Sequence, residues 1–378
     1  MAASANTYYI GSNNRLDLYE TAHGVIPNGN ANTIADDWLG FSLNINRSVK
    51  AGRTFTTDIV STYALVYTGF ELYAGGILAP DGNIHFIPQA ANRGQKISAS
   101  GIVSTYSLVY TTSSAYRGGV LALNGDIHFV PYTANRGQKV SASGIVSTYS
   151  LVYTTSGAQY VGGVLLPNGE IHFIPQTVSV GQKISAAGVV STYSIVYTTS
   201  NAYAGGALAQ NGDIHFVPNS AAVGQKISAA GTVSTYSLVY TTSGSYTGGV
   251  LALNGDIHFI PASANRGQKI APDGTVSTYS LVYTTTNAYF GGVLAPNGDI
   301  HFIPDSANRG QKVSATGVVS TYSLVYTTSI GAYRGGVLAP NGDIHFITRN
   351  APSGQILHTN AARPLDFGTC ASPYLNKL

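Results

Sequence analysis

Cysteine is almost absent from this 378-residue chain: Cys370 stands alone, which excludes an intrachain disulfide framework. Charge is scarce too. Only 9% of residues are Asp, Glu, Lys or Arg, against ~25% in ordinary soluble domains. The net charge of +3 is too small to mark a nucleic-acid binder by itself. No stretch approaches the ~18 uninterrupted apolar residues of a membrane helix, so no span is expected. The opening residues Met1–Tyr9 carry neither a basic region nor an apolar one, so no secretory signal is expected. Low charge does not mean disorder here. With 44% hydrophobic residues, 10% aromatic residues and 26 tyrosines, the chain can bury a core.

What the sequence has in abundance is repetition. The triplet Ile-His-Phe occurs seven times, with its histidine at His85, His128, His172, His215, His258, His301 and His345, spaced by 43 or 44 residues. Ser-Thr-Tyr recurs from Ser61 to Ser320 and Gly-Gln from Gly94 to Gly354, again seven times each. Each unit holds four short runs, here named A to D. Near residue 300 they are Gly291–Ala295, Asp299–Ile303, Gln311–Ser314 and Val319–Thr327, rich in β-branched and aromatic residues. Pro296-Asn297-Gly298 between A and B reads as a tight hairpin. Four strands per ~43 residues is the pattern of a propeller blade. The last unit lacks its D run after Leu357, while a lone D copy, Ile59–Thr68, precedes the first A. The expected fold is therefore an all-β, seven-bladed β-propeller over residues 59–357, closed by the N-terminal strand, with an arm (1–58) and a tail (358–378) outside it.

Residues 291–317, GGVLAPNGDIHFIPDSANRGQKVSATG, resemble an NHL repeat, as does the first copy, Gly75–Ile84, with its Asp81-Gly82-Asn83 turn. YVTN and kelch-like propellers are similar over the same stretch. The third and fourth units depart from the pattern, reading Ser179-Val180 and Ala222-Val223 where others have Asn-Arg. The resemblance implies a repeat propeller and leaves the function open, since such families host enzymes, scaffolds, glycan binders and RNA binders.

Catalytic signatures are missing from the sequence: there is no HExxH, CxxC, Walker loop or GxSxG. Seven histidines on equivalent strands of a ring lie too far apart to share a zinc ion, which needs ligands at ~2.0–2.1 Å. They are expected to pack between blades, and no metal or cofactor is expected. The turn carboxylates are one per blade and equally dispersed, so the expectation is a protein that is not an enzyme.

The charges divide by face. The A–B turns carry Asp81, Asp126, Glu170, Asp213, Asp256, Asp299 and Asp343, whereas Arg93, Arg117, Arg136, Arg266, Arg309, Arg334 and Arg349 fall on the opposite face, joined there by Glu71 and Asp305. One tyrosine precedes each A run: Tyr73, Tyr116, Tyr160, Tyr203, Tyr246, Tyr289 and Tyr333. Ringing the channel mouth, they would offer contact area with a polar tip. Set between blades, they would act as aromatic wedges. The candidate binding face is thus these seven tyrosines with the seven arginines, on loops that vary between repeats.

Low charge, Gly/Ser/Thr/Tyr richness and near-identical repeats are similar in composition to virion surface proteins. The functional expectation is a structural or interaction module, virion-associated as a capsid, decoration or attachment protein, whose arm and tail meet other structural proteins. The alternatives are a lectin-like binder of glycans or anionic ligands and a cytoplasmic scaffold or RNA-binding propeller.

Overall fold

The computed structural model describes residues 58–155, 157–327 and 331–359, with the backbone of Thr7–Ile10 and Leu16–Tyr19. These last two strands form an antiparallel hairpin in which Thr7 faces Tyr19. Trp38, Cys370 and most of the expected arm and tail lie outside the described residues.

Each repeat folds into four antiparallel strands in the order A-B-C-D. In blade 1 they are Tyr73–Leu78, Ile84–Pro88, Arg93–Ile97 and Val103–Ser107. The A–B turn follows from its Asn/Asp-Gly pair. In blade 6 Gly298 takes a φ of +85°, which glycine adopts without steric penalty. The Asn297 side chain accepts the Asp299 N–H at 3.0 Å. In blade 7, A, B and C are Tyr333–Leu338, Ile344–Thr348 and Ser353–His358, and the fourth strand is the N-terminal Ile59–Ala64. It pairs without a break from Ile59↔His358 to Ala64↔Ser353. The expected seven-bladed β-propeller with its clasp is what the chain forms.

The B strands are buried along their whole length. Alternation sends Ile84 and Phe86 to one side of the sheet and His85 and Ile87 to the other. Successive blades bury these sides against each other, so the core is seven interblade clusters rather than one centre. The cluster between blades 7 and 1 joins Val337, Ala339 and Ile347 to Tyr73, Ile84 and Phe86. The histidines meet the strand-D tyrosine of their own blade at a steep ring angle, as His258 does Tyr279 with ring centroids 5.4 Å apart. Each seam also carries a polar stitch. Gln138, fully buried, accepts the N–H groups of Val109 and Tyr110 from the preceding blade at 3.0 and 2.8 Å. Every blade repeats this stitch through Gln95, Gln182, Gln225, Gln268, Gln311 and Gln355.

The A strands line a central channel of about 480 Å³, walled mainly by Gly, Val, Ile and Leu. Each begins with a bulge, for instance between Tyr116 and Gly119. Within it the first glycine of the Gly-Gly pair touches its counterpart in the next blade. A Cβ on Gly118 would lie 3.0 Å from the Gly162 Cα, and one on Gly248 only 2.8 Å from that of Gly291.

Two outcomes follow from this packing. Gly118→Ala combines a φ of +83° with that backbone contact and should cost about 3 kcal/mol. Gly101→Ala has the same φ with open space around it and should cost about 1 kcal/mol. Equal losses on denaturant titration would refute the glycine contact as a constraint. Burial also lowers His85, His128, His215, His258, His301 and His345 from 6.5 to about 4, and lowers His172. These imidazoles are neutral in the fold, so below pH 6.5 the unfolded chain binds more protons. Stability should be level above about pH 6.5 and fall as pH drops toward 4; a flat profile across that window would refute the burial of neutral imidazoles.

Candidate functional site

The expected tyrosine ring is not at the surface. All seven tyrosines are at most 1% exposed. Each wedges edge-on or tilted against a strand-B aromatic, as Tyr73 does on Phe86 at 5.3 Å. Each hydroxyl donates to the first carbonyl of strand C in its blade, Tyr116 to Arg136 at 3.1 Å for example. The reason lies in the bulge, which turns the first side chain of strand A into the blade rather than toward the axis. The arginines divide as well. Arg93, Arg136, Arg266 and Arg309 open strand C and are exposed, each on its own blade. The expected acidic face is largely neutralised by lysines of strand C, as in Asp126–Lys139 at 2.6 Å and Asp213–Lys226 at 2.7 Å.

The other three arginines converge. Two repeat positions supply the site. The residue after the wedge tyrosine reads Ala74, Arg117, Val161, Ala204, Thr247, Phe290 and Arg334 around the ring. The residue that follows strand B reads Gln89, Tyr132, Gln176, Asn219, Ala262, Asp305 and Arg349. Both sit at the end of the ring opposite the A–B turns, and both vary from blade to blade. Across blades 6, 7, 1 and 2 they bring Asp305, Arg334, Arg349, Gln89 and Arg117 together, with Glu71 from the loop before the first A strand.

The contacts are specific. Arg349 pairs with Glu71 and approaches the Asp305 Oδ1 at 3.8 Å. Arg334 donates to the Gln89 Oε1 at 3.2 Å and lies over the Phe290 ring at 4.5 Å. The Arg117 guanidinium stacks on Tyr132 at 3.6 Å. Arg334 and Asp305 are only 8% and 5% exposed. Three guanidiniums face two carboxylates, which leaves one uncompensated positive charge. The Nε atoms of Arg117, Arg334 and Arg349 and the Oδ1 of Asp305 are buried without a hydrogen-bond partner. Burial, then Arg349 and Arg117, push Arg334 down to about 10. Burial raises Asp305 above the usual carboxylate range despite the two arginines. Glu71 holds a φ of +53°, a left-handed conformation rare for a residue of its type. Gly331 lets the backbone come close to the pair: a Cβ there would clash with the Arg349 guanidinium and fall 2.9 Å from the Asp305 Oδ1.

Such a cluster is poised for a ligand rather than for stability, since orphaned buried donors destabilise a fold. Removing one cation should therefore help it. Arg334→Met balances the cluster and should raise stability by about 1 kcal/mol, whereas Asp305→Asn adds to the excess positive charge and should lower it. Thermal midpoints moving in the same direction would overturn this account.

The sequence of residues 66–356 matches the virginiamycin B lyase family. Among solved structures, a streptogramin B lyase superposes with a TM-score of 0.71 at 20% identity, covering 81% of this chain and 99% of that one. A virginiamycin B lyase from Staphylococcus aureus gives 0.70 at 17%, covering 80% and 99%. A catalytically inactive histidine-to-alanine form of the Staphylococcus aureus enzyme, solved with quinupristin, gives 0.70 at 18%, covering 80% and 99%. No curated protein matches the chain significantly. The NHL-like resemblance thus holds at the level of a repeat propeller. The expectation that the protein is not an enzyme is corrected, because the matched family and these neighbours are lyases. Near-copy blades argued against chemistry only while the two variable positions, overshadowed by the repeat consensus, went uncounted. The chain belongs to the virginiamycin B lyase family.

Proposed function

We propose that the protein is a lyase acting at the Asp305–Arg334–Arg117 cluster, on a substrate of the streptogramin B class. The observation that supports this most is the coincidence of a lyase family match with the one place where the described blades depart from symmetry into buried, unpaired charge.

An elimination needs a base for a proton on carbon, and stabilisation of negative charge on the adjacent carbonyl oxygen and on the leaving group. Asp305 is suited to the first role. Its Oδ1 has no hydrogen-bond donor to weaken it, and burial raises its pKa. It takes the proton, the electron pair forms the carbon–carbon double bond, and the bond to the leaving group breaks. Arg334 and Arg117 present unpaired Nε–H groups to the charge that develops. Glu71 and Gln89 hold Arg349 and Arg334 in place through their side-chain oxygens. The virion reading rests on composition and the RNA reading on the arginines, while the burial of the seven tyrosines weighs against the glycan reading, which needs them exposed.

The test is incubation of the purified chain with quinupristin, followed by mass spectrometry. An elimination conserves the substrate's mass and creates a carbon–carbon double bond, seen as a chromatographically new isomer, whereas hydrolysis adds a water. Asp305→Asn should lower kcat by about 10²-fold or more. With an ionised base required, the wild-type rate should climb with pH through a midpoint above the ordinary carboxylate range. Absence of turnover, or a product that has gained water, would sink the assignment.

A further inference from the structure

The blade that joins the two ends of the ring breaks the repeat a second time, at its A–B turn. In blades 2, 4, 5 and 6 the turn aspartate pairs with the strand-C lysine, at 2.6 Å in Asp256–Lys269. In blade 7 Ile356 occupies the lysine position, and His358 stands where the other units carry serine or alanine, such as Ser141 and Ala271. The imidazole takes over the turn aspartate: its Nδ1 lies 3.0 Å from the Asp343 Oδ1. On its other side the Nε2 lies 2.8 Å from the Oγ of Ser61, on the N-terminal strand that closes the ring.

Asp343 is held firmly. Its Oδ2 accepts from the Asn341 amide at 2.9 Å and its own N–H donates to the Asn341 Oδ1 at 3.1 Å. Thr359, next to His358, donates to the Gly342 carbonyl at 2.9 Å. An ionised Asp343 is an acceptor only, so the Nδ1 facing it carries the proton. The Nε2 then presents its lone pair to the Ser61 hydroxyl. The His358 side chain is 35% exposed, so the group is reachable from solvent.

We propose that Ser61 is a nucleophile, with His358 as its general base and Asp343 as the positioning residue, and that it accepts acyl groups from esters with a good leaving group. This site is separate from the lyase cluster and does not rest on it. The Ser61 Oγ bonds to the acyl carbon while its proton passes to the His358 Nε2. The bond to the leaving oxygen breaks, and that oxygen takes the proton from His358. Water then attacks the acyl-Ser61 ester, gives its proton to the same nitrogen and releases the acid, restoring the serine.

The repeat supplies its own controls. Six serines at the same position of strand D, from Ser104 to Ser320, lack the histidine. The full-length chain is treated with p-nitrophenyl acetate near neutral pH, and acetylation is mapped by peptide mass spectrometry. Ser61 should acetylate about 10²-fold faster than its six counterparts. The excess should vanish in His358→Gln, fall in Asp343→Asn and return in part in Asp343→Glu. Acetylation of Ser61 no faster than that of Ser104 or Ser320 in the unmodified chain would overturn the proposal. Because that comparison lies within one folded molecule, a misfolded variant cannot explain it away.

Discussion

The ring depends on a side-chain amide repeated seven times. A four-stranded blade has exposed faces and an outer edge, and nothing in its own hydrogen bonding tells it where the next blade begins. The strand-C glutamine supplies that instruction. Its Oε1 collects two N–H groups from the segment leaving strand D of the preceding blade. The amide is wholly buried, so leaving those groups unpaired would carry a desolvation penalty at each seam. Apolar packing between blades is stronger in total but tolerates sliding, whereas two hydrogen bonds to one oxygen fix a register. Gln355 binding Val325 and Tyr326, and Gln95 binding Val66 and Tyr67, carry the same stitch through the blade made from both ends of the chain.

A frame fixed so many times over can carry local strain. The cluster at Arg334 and Asp305 has an excess positive charge, unpaired Nε atoms and a glutamate in a left-handed conformation. None of these would persist on a loop free to relax. The surrounding contacts are the repeated ones: the wedge tyrosine, the glycine bulge and the buried B strand. Evenly distributed stability thus permits a concentrated departure from it, which is the arrangement expected of a site prepared for a charged ligand or transition state.

The architecture was legible in the sequence because its causes are periodic. Ile-His-Phe, Ser-Thr-Tyr and Gly-Gln mark strands B, D and C, and the displaced D copy at Ile59 foretells the clasp. What was not legible lies in geometry that no spacing encodes. The bulge at each Gly-Gly pair turns Tyr116 and its counterparts inward, so a residue type favoured in recognition became a packing element. The strand-C lysines face the turn aspartates across one sheet, so a face that read as acidic is paired. The catalytic candidates were partly in view: Glu71 and Asp305 stood out as the acidic residues among the arginines. Reading the positions after the wedge tyrosine and after strand B as columns, rather than as loops, would have separated Arg117, Arg334 and Arg349 from the exposed Arg93, Arg136, Arg266 and Arg309.

The same reasoning explains why asymmetry gathers where the ring closes. An internal blade has its strands in one continuous segment, and a change in it must suit both neighbouring seams. Blade 7 draws strand D from a distant part of the chain, and its lysine and serine positions depart from the pattern. Ile356 and His358 occupy them, and with Ser61 they place a hydroxyl, an imidazole and a carboxylate in one line. Arg334 and Arg349 come from the same blade, at its opposite end. One four-stranded sheet therefore carries both departures from the repeat.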